Sequence, residues 1–268
     1  MLTRTISGAV LLSILLLAII PGGDVTLLFC AAISLIGLWE LYRVANIHKT
    51  PFLAVGFVAV IAYYGFLRFP VIEHATVVVS IAALILFLFF YVFSFPKYDI
   101  SQISTAFMGI FYVAVMISCI YLARTDLESG KYTVWLVIII SWGADTMAYF
   151  AGSLLGKHKM APVLSPKKSI EGAIGGIVGA MLITLGYCNI FHEGLHAGWR
   201  KILLFTLIAG VGAFISMIGD LAASAIKRNY EIKDFSHLIP GHGGILDRFD
   251  SVIITAPIVY FFTKVFLG

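Results

Sequence analysis

Four aspartates in the second half of the chain stand where a charge is costly or where two charges meet. Asp145 and Asp220 each lie inside a long apolar run. An ionised Asp at the centre of a bilayer costs about 2.5–3.5 kcal/mol even on a lenient insertion scale, so acids inside a membrane default to function. The bland reading of either one alone is a carboxylate held neutral or paired with a neighbouring helix. Asp247 and Asp250, in Asp247-Arg248-Phe249-Asp250, weaken that reading. Their i, i+3 spacing puts both carboxylates on one face if a helix has begun there. Carboxylates converging near a membrane surface suit an oxygen-ligated divalent cation. Mg2+ takes one or two of them together with water and substrate phosphates.

Beside the acids lie groups that phosphate needs. Ser165-Pro166-Lys167-Lys168-Ser169 precedes a helix for which Ser169 is the expected N-cap, with Glu171 in the first turn. A helix N-terminus offers free N–H groups and a positive dipole end, and two lysines add charge. Alone this is weak, since paired lysines in a loop usually just mark topology. Pro240-Gly241-His242-Gly243-Gly244 then leads into Asp247. Glycines allow a fold tight enough to aim backbone N–H groups at phosphate oxygens. A flexible turn would explain the glycines but not their place before two acids and Arg248. Two further patterns mislead. His192-Glu193-Gly194-Leu195-His196 has the spacing of a zinc protease but contains a glycine, falls in a short loop and lacks a third ligand. Gly152-Ser-Leu-Leu-Gly156-Lys157-His158 is one residue short of a P-loop and follows a helix, not a strand.

The elements that carry these residues follow from composition. The chain has 268 residues, 60% hydrophobic and 12% charged, with mean hydropathy +1.01. A soluble domain is about 25% charged, so a disordered chain, a nucleic-acid-binding module and most water-soluble enzymes are excluded. Lipid must be the solvent for most of the surface. Apolar runs near Leu2–Ile20, Val25–Tyr42, Phe52–Leu67, Thr76–Phe95, Ile103–Ala123, Thr133–Leu155, Ile170–Ile190, Ile202–Ile226 and Val252–Leu267 predict an all-α, polytopic membrane protein of about nine transmembrane helices. The first run lacks a small-x-small cleavage site and reads as a retained span. Cys30, Cys119 and Cys188 sit in apolar runs without mutual spacing, as buried small hydrophobes do. Gly175, Gly176 and Gly179 have the spacing that lets helices approach closely.

Of the 18 Lys and Arg residues, 12 fall on the side holding the N-terminus and the connections near 43–51, 94–102, 156–169 and 227–251. The excess places that side in the cytoplasm. Residues 1–130 read as an apolar scaffold, and 131–268 as the region where chemistry resides.

The stretch from Ser224 to Asp250, with Lys227, Arg228, Lys233, Asp234, Ser236, Pro240, His242, Gly243, Gly244, Asp247 and Arg248 at their spacings, resembles the signature of phosphatidate cytidylyltransferases (CDP-diacylglycerol synthases). The resemblance continues upstream in Ser141-Trp-Gly-Ala-Asp145-Thr-Met-Ala-Tyr149, in the Lys157–Glu171 loop and in Gly219-Asp220. It covers roughly the C-terminal half. Ser169 departs from it slightly, since threonine is commoner there. The resemblance implies a membrane enzyme that joins phosphatidate to CTP and releases pyrophosphate. It implies Asp220 and Asp247 as leading metal ligands, Asp145 and Asp250 as helpers, and Mg2+ as cofactor with a second metal ion admitted. Lys167, Lys168, Lys227, Arg228 and Arg248 would hold phosphates. Ser165, Ser169, Ser224, Lys233, Asp234, His242, Gly243 and Gly244 complete the substrate site.

The implied partners are phosphatidate, CTP and the lipid bilayer, with no nucleic acid and a homodimer as the admitted assembly. The implied location is the bacterial inner membrane, with the site facing the cytoplasm. A CTP-dependent polyprenol-type kinase is the alternative. It would need a base for its alcohol acceptor, and His242, between glycines, is expected to be poorly held for that task. A secondary transporter is a further alternative, but charge concentrated in one half argues against the two related halves of that class.

Overall fold

The structure, a computed structural model, describes residues 2–267. Its helices are α1 (Leu2–Ile19), α2 (Gly23–Val44), α3 (Pro51–Arg68), α4 (Ala75–Ser94), α5 (Ile100–Gly109), α6 (Met116–Thr125), α7 (Gly130–Leu155), α8 (Ile170–Ile190), α9 (Trp199–Asn229) and α10 (Leu246–Phe266). A π-helical segment, Ile110–Val115, joins α5 to α6 in one rod. Among the described residues, 8 rods are long and apolar enough to cross a membrane, and α1 contributes a shorter apolar stretch, Thr5–Ile19. The rods turn apolar side chains outward, as lipid permits and water does not. On α4, Phe93 is 75% exposed. This is a polytopic, all-α membrane architecture.

Two local features depart from the sequence reading. The last helix starts at Leu246, well before the expected Val252, so Asp247, Arg248 and Asp250 are helical residues. The connection expected as a plain loop holds an antiparallel hairpin of β1 (Lys159–Ala161) and β2 (Ser165–Ser169), with Lys159 opposite Ser169 and Ala161 opposite Ser165. Neither strand has an alternating apolar pattern, because the hairpin's side chains are not packed on a core, and so periodicity gave no notice of it.

The chain forms two compact units. The first comprises Met1–Ser118 and Asp234–Asp247. Its centre is α2, against which small residues let other rods come close. A Cβ on Gly109 would sit 2.9 Å from Leu38, and one on Gly56 would meet the Tyr42 ring at 3.0 Å. The Tyr42 hydroxyl donates to the Ala106 carbonyl at 2.6 Å, and that of Tyr64 to the Ala114 carbonyl in the π segment at 3.2 Å. Buried hydroxyls thus find backbone acceptors where no water can serve them.

The second unit comprises Cys119–Lys233 and Arg248–Gly268. Here α7 and α8 lie backbone to backbone along the glycine stripe. A Cβ on Gly176 would lie 2.9 Å from the Ala144 carbonyl and 3.0 Å from the Ala148 side chain. Gly179 is filled by Met147, so the small-residue reading of this helix holds. Ser169 caps α8, its hydroxyl accepting from Gly172 N at 3.1 Å. Glu171 ties the hairpin to that helix end, accepting from Lys157 N at 3.1 Å and pairing with His158 Nδ1 at 2.6 Å. At another corner Asp126 accepts from Lys264 at 2.5 Å and from the Tyr260 hydroxyl.

Candidate active site

In the second unit a cleft of about 500 Å³ opens between α7, α8, α9 and the hairpin. Asp145 reaches it from α7, Asp220 from α9, and Ser165, Lys167, Lys168 and Ser169 from β2. Tyr149, Met160 and Met217 give it an apolar flank. Lys168 forms an ion pair with Asp220, the two side chains being 25% and 24% exposed. A half-buried pair of this kind keeps each charge from standing alone in an apolar wall. The strands explain the reach. The hairpin turns back onto the start of α8, which carries the second lysine over the helix ends and into the cleft.

Electrostatics link this cleft to the part of α10 that begins at Arg248, within the same unit. Asp145 lies close to Ser251 and in the fields of Asp220, Lys168 and Arg248. Asp250 lies in the fields of Asp220, Asp145 and Lys227. Three carboxylates therefore repel one another, and Lys168, Lys227 and Arg248 offset that repulsion. A further cation brought by a ligand would be drawn to the same place.

The glycine loop is organised within the first unit. Asp247 is 6% exposed, and its Oδ2 accepts from Phe235 N at 2.7 Å and Gly244 N at 2.9 Å. Gly243, at φ +83°, crowds that carboxylate, for a Cβ there would lie 2.9 Å from Oδ2. His242 is gripped, contrary to the sequence expectation. Its Nδ1 meets the Ser7 hydroxyl at 2.6 Å, and Ser7 also reaches the Pro240 carbonyl at 3.0 Å. The sequence separation of 235 residues hid this partner.

Several of the other expected residues do not line the cleft, whereas Ser169 does. Arg228 is exposed and donates to the Ile232 carbonyl at 3.0 Å, closing the turn after α9. Lys233 is exposed, Asp234 is half-buried, and Ser224 is half-buried one helical turn beyond Asp220. Ser169 is buried and occupied with its cap. His192 makes a 3.0 Å contact with the Asn189 carbonyl in the turn after α8.

Glu40 was missed. It is 0% exposed within α2 and accepts from Ser236 Oγ at 2.5 Å, Ile245 N at 2.9 Å and Leu246 N at 2.8 Å. The signal was available: a single acid between Trp39 and Leu41 in an apolar run. Within residues 1–130, which read as an apolar scaffold, a lone acid belongs to no motif that points to its partners.

Whether this donor set fits a metal turns on its chemistry. Among the described residues no three His, Cys, Asp or Glu side chains form a ready-made metal cluster. Mg2+ asks for less, taking one or two carboxylates and completing its shell with water and substrate phosphates. Hard carboxylate oxygens are the donors it prefers, and Asp145 and Asp220 offer them at the cleft.

The fold is that of a polytopic helical membrane protein whose polar chemistry is gathered in one cleft and one glycine loop. The chain belongs to the cytidylyltransferase family, which it matches over residues 2–266. It is 33% identical over 264 residues to a phosphatidate cytidylyltransferase of Staphylococcus epidermidis, covering 97% of both chains. It is 30% identical to the proteins of that name from Staphylococcus saprophyticus and Staphylococcus aureus, again over 97% of each chain.

Proposed function

We propose that the protein transfers the cytidylyl group of CTP to phosphatidate, giving CDP-diacylglycerol and pyrophosphate for phospholipid synthesis. The observation that carries the reading is the cleft in which Lys168 of the hairpin meets Asp220 of α9, in a chain whose relatives bear that activity in their names. A phosphate oxygen of phosphatidate attacks the α-phosphorus of CTP in line, the bond to the β-phosphate oxygen breaks, and pyrophosphate departs. Phosphatidate is already ionised at neutral pH, so no general base is needed.

In this reading Asp220 and Asp247 are the leading Mg2+ ligands, with Asp145 and Asp250 assisting and a second ion accommodated. Bound Mg2+ supplies polarisation of the phosphoryl group and neutralisation of the leaving pyrophosphate. Lys167 and Lys168 draw phosphate into the cleft, while Lys227, Arg228 and Arg248 hold phosphates at the ends of α9 and α10. Ser165, Ser169, Ser224, Lys233, Asp234, His242, Gly243 and Gly244 are the remaining substrate-binding residues of this reading, on the strength of the family signature they belong to. Residues 131–268 form the catalytic region and 1–130 its scaffold. The excess of Lys and Arg supports a site facing the cytoplasm, and the bacterial relatives support the cell membrane of a bacterium. The headgroup then arrives sideways from the inner leaflet and CTP from water.

The test is the fate of label in detergent-solubilised protein given phosphatidate, Mg2+ and CTP. Label from α-labelled CTP should enter the lipid, and label from γ-labelled CTP should leave as pyrophosphate. Transfer of γ-label to an isoprenoid alcohol, with none of the α-label on phosphatidate, would establish the kinase instead.

A further inference from the structure

Glu40 is a fully buried carboxylate near the end of α2, remote in sequence from every group assigned above. Burying an ionised carboxylate is costly unless hydrogen bonds replace its water. Here the replacements all come from one short segment of the same compact unit. Ile245 N donates to Oε1 at 2.9 Å, Leu246 N to Oε2 at 2.8 Å, and the Ser236 hydroxyl to Oε1 at 2.5 Å. Leu246 is the first residue of α10. Glu40 therefore acts as an N-cap supplied from another helix, placed at the positive end of the α10 dipole.

The neighbours divide the same labour. Asp247 takes Gly244 N and Phe235 N, so three successive amides, those of 244, 245 and 246, end on two carboxylates. Arg43, one turn after Glu40 on α2, donates to the Phe235 carbonyl at 2.8 Å. Gly244 is pressed onto Glu40, since a Cβ there would stand 2.7 Å from the carboxyl carbon. The missing side chain at 244 is thus a requirement of Glu40, independent of any phosphate.

We infer that Glu40 is a positioning residue for the reaction. Its carboxylate fixes where α10 begins and how the Asp234–Asp247 segment folds, and through them the aim of Asp247. This rests on the proposed transferase reading. Misplacing a reacting group by about 1 Å can cost on the order of 100-fold in rate. Glu40→Gln keeps the volume but turns an amide NH2 toward backbone donors. Its kcat should fall by about 30-fold with full CTP and phosphatidate, while the melting temperature of the full-length protein stays near that of the parent. Amide exchange read by mass spectrometry should accelerate in the peptide covering residues 236–247 and nowhere else.

Parental kcat and parental exchange in Glu40→Gln would overturn the inference, as would a chain-wide rise in exchange with kcat per folded molecule unchanged. If Glu40→Gln fails to fold, Ser236→Ala carries the test, because it removes a single bond to the same carboxylate. A fall in kcat of a few fold with faster exchange in that peptide supports the role, and no change in either overturns it. A parent that releases no pyrophosphate from CTP and phosphatidate defeats the functional reading itself, whereas an active parent with an indifferent Glu40→Gln defeats only the role given to Glu40.

Discussion

Asp220 and Asp247 are the two acids assigned the leading part in metal binding, yet they are held in different ways, and the difference is testable. Asp220 is matched to the flexible end of Lys168, a partner that can move when a phosphate arrives. Asp247 is matched to two backbone N–H groups that cannot. Both Asp→Asn variants should lose turnover by 100-fold or more, on the order of the several kcal/mol that a bound ion contributes to a phosphoryl-transfer transition state. Asp247→Asn should also lower stability, by about 1–3 kcal/mol and by more than Asp220→Asn, because a neutral amide oxygen accepts more weakly than the carboxylate oxygen on which both N–H groups converge. Denaturation midpoints measured alongside pyrophosphate release separate the two. Equal stability losses would mean that Asp247 is not the loop's anchor, and near-parental turnover in either variant at saturating Mg2+ would remove it from the metal site.

Helices in this protein are joined by polar clasps placed at their ends. Glu171 holds the hairpin to α8, Glu40 holds the start of α10, and Asp126 ties the segment after α6 to the far end of α10. The carboxylate of the last lies just beyond the apolar span that ends at Thr125 and so carries a pH signature. The Lys264 ammonium and then the Tyr260 hydroxyl hold the Asp126 carboxyl below the usual carboxylate range. A folded-state pKa below the unfolded one stabilises the protein above the unfolded value, about 4 for Asp, and that contribution is lost as pH falls through the folded value. Asp126→Asn should therefore melt earlier than the parent at pH 7, with the gap closing below about pH 4. A gap that persists undiminished in acid would show that the ionised clasp is not its origin. The effect is small, since the carboxylate is 42% exposed and solvent screens it.

Across the whole molecule, the orientation of the spans rests on the 12 cations gathered on one side. The connections after α7 and after α9 should then face the cytoplasm, and the turn before α9 the opposite side. Lys233 is exposed and Gly198 stands just ahead of α9, so single cysteines at these positions report on the two ends of one rod. The native cysteines at 30, 119 and 188 are buried and leave the background low. Lys233→Cys should react only with reagents that reach the cytoplasm, and Gly198→Cys only with reagents outside. Labelling of both from one side would mean that α9 does not cross.

Apolar length alone was enough to reveal the rods, because a bilayer leaves a 20-residue apolar stretch no conformation but a helix. The same physics exposed Asp145 and Asp220, charges in runs that should hold none. Local chemistry marked Ser169 as a cap and Gly176 as a contact, since both act within a turn or against the next helix. What the tertiary structure decided is everything that depends on partners distant in the chain. Lys168 looked like a topology marker until the hairpin carried it to Asp220. His242 looked loose until Ser7 reached it. Glu40 belongs to no local motif, and its role comes from the α10 amide that ends on it. A buried polar group is legible only through what satisfies it, and when that partner lies some 200 residues away no local pattern announces it.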